Sequence, residues 1–314
     1  QGLDRYRDRG PSFNDDIQGT GAVALAGLIS ACRVKNEPLK DQRIVVLGAG
    51  AGGIGVAWAV TQGLVNCGLS EEEARAQVFV LDSRGLLVEG RAMDAYKAPF
   101  AQSAERIADW RFAGPVPNLL EVIENGQVTV LLGLSGQAGA FNQPIVEAVS
   151  RNNSRPVVFP LSNPTSIAEA LPEDIFAWTD GRAIVATGSP FEDVVHAGKT
   201  YPIGQGNNAF VFPGLGFASI LSEASRITDG LVLESAHALA DYTAAGHVEA
   251  GRVYPPIREL PEVSIRVTTR VMARAIEEGV ARKEGLEGRD LDTYVRQHFW
   301  RPRHLPFVRG IEPS

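Results

Sequence analysis

Cysteine is scarce in this chain of 314 residues, which contains only Cys32 and Cys67. Neither residue lies in a C-x-x-C pair or at a Cys/His spacing that a metal would require, and both fall in helical apolar patterns. The sequence therefore offers no disulfide framework and no zinc site, and it predicts a reducing location such as the cytoplasm. The five histidines also lack ligand spacing, so we interpret them as structural or surface residues.

Long apolar runs and excess positive charge are missing as well. No stretch of 18 consecutive apolar residues and no basic-then-apolar N-terminal segment occurs, so the sequence predicts neither a membrane span nor a secretion signal. The formal net charge of −7 and the pI near 5.4 give no electrostatic reason to expect nucleic acid or an anionic membrane as a partner. The chain opens without Met, at Gln1, and we expect it to be a segment of a longer protein.

Short β-branched or aliphatic runs recur through the first two thirds of the chain, with helical segments or loops between them. The spacing predicts parallel strands at residues 43–47, 78–81, 128–132, 157–161 and 183–187. Crossovers of this length predict an α/β fold with an open, doubly wound parallel sheet, whose ligands bind at the carboxyl ends of the strands. From about residue 214 onward only helical patterns remain, at residues 215–226, 231–245, 264–278 and 290–299.

A glycine-rich turn joins the first predicted strand to a predicted helix. Gly48, Gly50 and Gly53 satisfy the pattern G-x-G-x-x-G in the strand-turn-helix context that a dinucleotide site requires. The glycines would allow a tight turn and a close approach of the backbone to a pyrophosphate, whose charge suits the helix N-terminus. Asp82 ends the second predicted strand, where an acid that binds the adenosine ribose belongs, and an inserted helix is expected before it. We therefore predict a Rossmann-like domain that binds NAD or NADP.

Two adjacent acids, Asp15 and Asp16, precede this domain in the segment FNDDIQGT at residues 13–20. Mg²⁺ and Mn²⁺ prefer carboxylate oxygens and usually keep water or substrate oxygens as their other ligands. Taken alone, such a pair is more often a solvated turn or a helix cap, and one pair cannot complete a metal site.

Two further polar segments fall where ligands are expected. SNPT at residues 162–165 follows the fourth predicted strand, and GQGNN at residues 204–208 lies in the loop after the fifth. Side-chain amides can orient a carboxylate or a nicotinamide without adding charge. Turn and cap roles also stay open for lone asparagines.

These segments, in this order and together with the glycine loop, resemble the malic enzyme family. The resemblance implies oxidative decarboxylation of (S)-malate to pyruvate and CO₂, with reduction of NAD(P) and dependence on Mg²⁺ or Mn²⁺. It implies that Asp16, with Asp15 close by, binds the metal. It also implies that Asn163 and Asn208 bind malate, and that Asn163 and Asn207 contact the nicotinamide end of the cofactor.

The choice between NADP and NAD depends on the surroundings of Asp82, which would repel a 2′-phosphate unless cations offset its charge. Ser83, Arg84 and Lys97 are available for this. Among malic enzymes that favour NADP, a serine after this aspartate and a lysine near the position of Lys97 are family features, so the resemblance favours NADP. Alternatively, Arg84 and Lys97 are solvated surface charges.

The family also requires a general acid tyrosine, a general base lysine and two further acidic metal ligands, which the resemblance places N-terminal to FNDDIQGT. We therefore expect a metal-binding linker at residues 1–18, a dinucleotide-binding domain at 19–207 and a helical segment at 208–314 that packs on an absent N-terminal domain. We expect the chain to be inactive alone and to form homo-oligomers. Two alternatives stay open, a non-catalytic dinucleotide-binding or assembly module and a different dehydrogenase with a similar fold.

Overall fold

The computed structural model describes residues 2–301. Its strands are β1 (Ile44–Leu47), β2 (Val78–Asp82), β3 (Gly85–Leu86), β4 (Val130–Gly133), β5 (Val157–Pro160), β6 (Ile184–Thr187), β7 (Val194–His196), β8 (Lys199–Tyr201) and β9 (Gly204–Gln205). Its α-helices are α1 (Gly2–Tyr6), α2 (Thr20–Lys35), α3 (Ala51–Asn66), α4 (Glu71–Ala76), α5 (Leu119–Gly126), α6 (Gln143–Asn152), α7 (Pro172–Trp178), α8 (Phe212–Leu221), α9 (Asp229–Gly246), α10 (Leu260–Glu277) and α11 (Leu291–His298).

The main sheet has seven strands in the order β3-β2-β1-β4-β5-β6-β9, and β7 pairs with β8 in a separate hairpin. Strand β1 is parallel to both of its neighbours, so that Val45 lies opposite Phe79 on one side and Leu131 on the other. Only β3, which pairs antiparallel with β2, departs from the parallel arrangement in this sheet. The strand order reverses at the β1–β4 pair, which is where doubly wound sheets bind ligands.

Each face of the sheet has its own core, because alternate side chains of a strand point to opposite faces. Val46, Val80 and Leu132 pack with apolar residues of α2, α3, α9 and α10. Val45, Phe79 and Leu131 pack with residues of α5, α6 and α7. Helices therefore cover both faces, and the predicted doubly wound α/β fold with a C-terminal helical segment is confirmed.

Among the described residues one helical stretch, Asp15–Lys35, contains a window of 18 residues that is long and apolar enough to cross a membrane. It comprises a π-helical turn at Asp15–Gly19 and all of α2. The fold buries 72% of that window, as a core helix would be buried, so its composition is explained by packing. The expectation of no membrane partner stays a prediction.

The predicted strands are all present, with ends that differ by one or two residues. Strands β3, β7, β8 and β9 were not predicted, since two or three residues are too few for a periodic pattern to show. The expectation for Cys67 was wrong, because this residue caps the C-terminus of α3 and is exposed, with the helix broken at Gly68, whose φ is 97°. Cys32 is buried in α2 as expected.

The four C-terminal helices lie at their predicted positions, with ends that differ by about one to five residues. Helix α8 ends at Leu221 and not near residue 226, since the chain turns at Glu223, whose φ is 51°. The connection between α9 and α10 contains two short 3₁₀ turns, Val248–Ala250 and Ile257–Glu259. The tail after Pro302, expected to be irregular, lies outside the described residues.

Candidate functional site

The glycine turn between β1 and α3 packs too closely for a side chain at two of its three predicted glycines. Gly48 has a φ of 115°, and a Cβ added to it would lie 2.3 Å from the carbonyl oxygen of Leu134. A Cβ at Gly53 would lie 1.7 Å from the carbonyl oxygen of Gly48. Gly50 begins α3 without a capping side chain and faces open space, so the N–H groups of the first helical turn are left for an anion.

A cleft of about 580 Å³ opens beside this turn, and we call it the glycine-loop cleft. It extends from the glycine turn to the end of β2 and to the loop after β4. Its lining includes the predicted cofactor residues Gly48, Gly50, Asp82, Ser83 and Lys97. The fold therefore brings these residues together at the carboxyl edge of the sheet, although their contacts with a cofactor stay a prediction.

Three cations surround the carboxylate of Asp82. Its Oδ1 accepts a hydrogen bond from the backbone N–H of Arg84 at 2.9 Å, and its Oδ2 accepts one from the Arg91 guanidinium at 2.5 Å. The Nζ of Lys97 lies 3.9 Å from the same Oδ2, and the Arg84 guanidinium lies 4.0 Å from it. Sequence reasoning missed Arg91, because it lies in an irregular stretch where no motif marks it.

A second cleft of about 560 Å³ lies at the same edge of the sheet, and we call it the asparagine cleft. It is lined by the acidic turn, the turn after β5 and the loops around residues 188–190 and 205–208. The predicted residues Asp16, Asn163, Asn207 and Asn208 all lie in its wall.

The three asparagines differ in how the protein already uses their side chains. Asn163 is exposed at the cleft. The Oδ1 of Asn207 accepts a hydrogen bond from the N–H of Ala209 at 2.9 Å and so caps a short 3₁₀ turn. The Nδ2 of Asn208 donates to Asp15 Oδ2 at 3.2 Å and to Thr20 Oγ1 at 3.1 Å. Asn208 therefore holds the acidic turn, and contacts of all three with ligands stay predictions.

The acidic turn places its two carboxylates differently. Asn14 caps the turn, because its side chain accepts from the N–H of Ile17 at 3.0 Å. Asp16 is exposed and faces the asparagine cleft. Asp15 is partly buried, and its Oδ1 is a buried atom without a hydrogen-bond partner among the described residues. Burial raises the pKa of the Asp15 carboxyl above its usual value, in spite of the hydrogen bond from Asn208 that lowers it, and the charge of Asp16 raises it further.

These carboxylates suit a hard divalent cation in ligand type, and the unpartnered oxygen of Asp15 suits one as well. They do not suffice in number. Within residues 2–301, no three His, Cys, Asp or Glu side chains form a group that could hold a metal ion. A cation at Asp16 would therefore take its other ligands from water, from a substrate or from additional chain.

The acidic turn packs directly on the helix that begins at the glycine turn. A Cβ at Gly52 would lie 3.5 Å from the carbonyl oxygen of Asp16, and one at Gly55 would lie 2.1 Å from that of Ile17. The backbone of the acidic turn, which lines the asparagine cleft, is thus in contact with the backbone of the helix that begins at the glycine-loop cleft.

Residues 17–276 match the family described as the NAD binding domain of malic enzyme. The NAD-dependent malic enzyme of Aliivibrio fischeri is 42% identical over 309 residues, which are 98% of this chain and 54% of that protein. An NAD-dependent malic enzyme of Vibrio vulnificus is 43% identical over 311 residues, with the same shares. The chain therefore spans about half the length of the curated relatives it matches.

Solved structures give the same result for the fold. The malic enzyme of Entamoeba histolytica has a TM-score of 0.74 at 24% identity, over 95% of this chain and 56% of that one. The malic enzyme of Pyrococcus horikoshii has a TM-score of 0.70 at 26% identity, over 94% of this chain and 62% of that one. The glycine turn, the acidic turn and the asparagine loops thus occur in a fold shared with malic enzymes, and the chain belongs to the malic enzyme family, of which it contains the NAD-binding domain.

Proposed function

We propose that this chain is the dinucleotide-binding portion of an enzyme that oxidises and decarboxylates (S)-malate to pyruvate and CO₂. The observation that carries the proposal is the contact between the acidic turn and α3. It holds the backbone of Asp16, whose carboxylate faces the asparagine cleft, against the first turn of α3, so a hydride donor in that cleft and a nicotinamide ring can meet. Relatives named NAD-dependent malic enzyme support the same reading.

In this proposal each group of the chain has a stated task. The glycine turn and the first turn of α3 bind the pyrophosphate, and Asp82 accepts a hydrogen bond from the ribose. Asn163 and Asn208 orient the malate carboxylates, and Asn163 with Asn207 orients the nicotinamide. Asp16, with Asp15 beside it, would hold Mg²⁺ or Mn²⁺, which when bound supplies a Lewis acid for the substrate oxygens.

The acid and base that move the protons are proposed to lie outside this stretch. The relatives are nearly twice as long as the part that aligns with this chain. The resemblance places those groups ahead of the acidic turn, together with two more acidic ligands. This division is consistent with the shortage of metal ligands within residues 2–301.

The adenosine end is proposed to accept NADP as well as NAD. Three cations lie within 4.0 Å of Asp82, and Asp94 offsets one of them through Lys97 at 3.2 Å. The positive charge left over can offset the repulsion between Asp82 and a 2′-phosphate. The name of the relatives favours NAD, for which Asp82 alone would suffice.

Calorimetric titration of the purified chain with NAD and with NADP tests the proposal. We expect saturable binding of at least one of the two, and loss of that binding in Gly50→Glu, which places a negative side chain in the glycine-loop cleft. The matched control is Gly246→Glu, since Gly246 at the end of α9 also faces open space and also lacks a positive φ, but does not line that cleft. Absence of dinucleotide binding by a folded parent chain would contradict the proposed function.

A non-catalytic dinucleotide-binding or assembly module remains the second candidate, and the incomplete set of metal ligands favours it. Adding the missing half of a relative decides between the two. Malate turnover by the joined protein that depends on Asp16 supports the enzyme, whereas absence of turnover by a joined protein that still binds NAD supports the module.

A further inference from the structure

A buried carboxylate lies between the two clefts and lines neither. Glu169 follows the turn that carries Asn163, and its exposed fraction is 0%. In the part of the chain that the structure describes, the hydrogen bonds its carboxylate accepts all come from Ser135 and Ser162. A fully buried carboxylate needs such donors, because its desolvation is otherwise costly.

The first serine belongs to the glycine-loop cleft. Ser135 begins the loop after β4 and lines that cleft. Its N–H donates to Glu169 Oε1 at 2.8 Å and its Oγ donates to the same atom at 2.9 Å. The Ser135 hydroxyl also accepts from the N–H of Gln137 at 3.2 Å, so its single proton is directed to Glu169.

The second serine belongs to the asparagine side. Ser162 directly precedes Asn163, and its Oγ donates to Glu169 Oε1 at 2.6 Å. The same hydroxyl accepts from the N–H of Gly136 at 2.9 Å, which ties it to the loop after β4 as well. Both serines thus receive a backbone N–H of residues 136–137 and pass their own proton to one carboxylate.

We propose that Glu169 is a positioning residue that couples the two clefts by holding residues 134–137 and residues 162–165 in one mutual arrangement. The identity of the ligand in this inference rests on the proposed function, whereas the arrangement of the two loops around Glu169 does not depend on it. One oxygen, Oε1, receives donors from both sides, so neither loop can move without changing the bonds of the other. A dinucleotide seated on Ser135 therefore also orders the turn that presents Asn163.

Two substitutions disturb this arrangement in different ways. Glu169→Gln keeps the shape of the side chain but replaces one acceptor oxygen with an N–H₂ donor. The donors of Ser135 and Ser162 then lose an acceptor or face another donor. Gly133→Ala leaves Glu169 intact, but the added Cβ would lie 2.6 Å from its Cδ and would displace it. Glu173→Gln is the control, because Glu173 is exposed four residues later on α7.

Amide hydrogen exchange on the ligand-free chain is the first test. We expect Glu169→Gln to raise exchange about tenfold or more both at residues 135–137 and at residue 162, with no change in Glu173→Gln. Ser162→Ala should raise exchange at Ser135, although the two serines are not bonded to each other. A rise on one side only, or a uniform rise over the whole sheet, would show a local or a purely structural role and would overturn the proposal.

Calorimetry with NAD is the second test. Glu169→Gln and Gly133→Ala should each weaken NAD binding by roughly tenfold, the equivalent of one hydrogen bond to a charged group, although neither residue lines the glycine-loop cleft. Should Glu169→Gln not fold, Ser162→Ala gives the same readout with a smaller change. Unaltered NAD affinity in these variants contradicts the coupling. A parent chain that does not bind NAD contradicts the proposed function instead, and hydrogen exchange then decides on Glu169.

Discussion

Asp16 is the exposed carboxylate of the acidic turn, and its role can be separated from that of the glycine turn. We expect Asp16→Asn to weaken Mn²⁺ binding at least about tenfold. Loss of a group that only hydrogen-bonds to a metal ligand typically lowers metal affinity by about 10- to 100-fold, and a charged ligand itself should contribute more. The affinity for NAD should hardly change, since the glycine turn is untouched. Electron paramagnetic resonance of Mn²⁺ measures the first quantity and calorimetry the second. Asp109→Asn, an exposed acid outside both clefts, is the control, and equal Mn²⁺ affinity in Asp16→Asn and parent would remove Asp16 from the site.

Lys97 and Arg91 contact the same carboxylate but should affect the cofactors differently. Lys97→Gln removes a cation that could pair with a 2′-phosphate, so NADP affinity should fall by roughly 10- to 150-fold while NAD affinity barely changes. Arg91→Gln should weaken binding of both cofactors, because Arg91 fixes Asp82 itself at 2.5 Å. Calorimetry with both cofactors distinguishes the two outcomes. Lys40→Gln is the control, since Lys40 is exposed and precedes β1 at the opposite edge of the sheet. Equal losses for both cofactors in Lys97→Gln would place discrimination elsewhere.

The residues that sequence reasoning found and those it missed differ in how their partners are reached. Gly48, Asp82 and Asp16 stand in short motifs, where neighbours in the chain reveal the chemistry. Arg91 and Glu169 gain their meaning only from partners that the fold brings near, and Glu169 reaches Ser135 across 34 positions. No local pattern can mark such residues. Asn208 was found through the GQGNN segment, but its bond to Asp15, which spans 193 positions, could not be predicted in this way.

Among the elements, α2, α9 and α10 are tied together through Asp241. Burial by itself would raise the pKa of this carboxyl, but hydrogen bonds from Arg33 and Arg270, with the charges of both, lower it below its usual 3.8. A depressed pKa means that Asp241 stabilises the fold above about pH 3.8 and loses that effect as the pH falls through its lower folded value. Its side chain is 39% exposed, so we expect a modest contribution of about 1 kcal/mol or less.

Asp241→Asn should therefore melt at a lower temperature than the parent at pH 7, and the difference should shrink as the pH falls below about 3.8. Thermal unfolding followed by circular dichroism between pH 3 and 7 would measure this. Glu105→Gln serves as the control, because Glu105 is an exposed acid between β3 and α5 and is not part of these helices. A difference that stays constant over that range would mean that the ion pairs do not link these helices.

The helices and strands were predictable to the extent that burial left a periodic trace. The inner strands are short runs of β-branched or aliphatic residues because helices cover both of their faces. Helix α4 was predictable from its acids, and a capping box forms there, in which Ser70 Oγ accepts from the N–H of Glu73 and the Glu73 carboxylate accepts from the N–H of Ser70. Strand β9 was not predictable, since only its pairing with β6 makes two residues of the GQGNN segment a strand.

For the whole molecule, we expect the purified chain to turn over malate at a negligible rate. Acid–base catalysis contributes about 10² to 10⁴ per group, and both groups are proposed to lie outside this stretch. Cofactor reduction followed at 340 nm, with protein from a host that lacks malic enzyme, is the measurement. Robust turnover that survives Asp16→Asn would place the catalytic groups within this chain and would refute the assignment.

The surface of α8 should drive association of the whole chain. Phe212 and Ile220 are 42% and 71% exposed on this apolar helix, and the partly buried Phe217 lies between them in sequence. Exposed apolar side chains favour binding to another surface, here proposed to be a segment N-terminal to this stretch or a second copy of the chain. Ile220→Ser should reduce binding of an apolar dye and shift light scattering toward the monomer. Val195→Ser is the matched control, because Val195 is also 71% exposed but stands on the β7 strand, and equal effects of both would contradict a role for α8.

The backbone contacts beneath the acidic turn leave no room for a side chain at two glycines, whatever its charge. A Cβ at Gly21 would lie 2.5 Å from the carbonyl oxygen of Gly55, and one at Gly55 would lie 2.1 Å from that of Ile17. A single methyl group at either glycine would push the acidic turn or α2 away from α3, and so separate the proposed metal ligand from the proposed dinucleotide site. We therefore expect exchanged charges at the rims of the clefts to change ligand affinity, and one added carbon under the turn to change the distance between the two clefts.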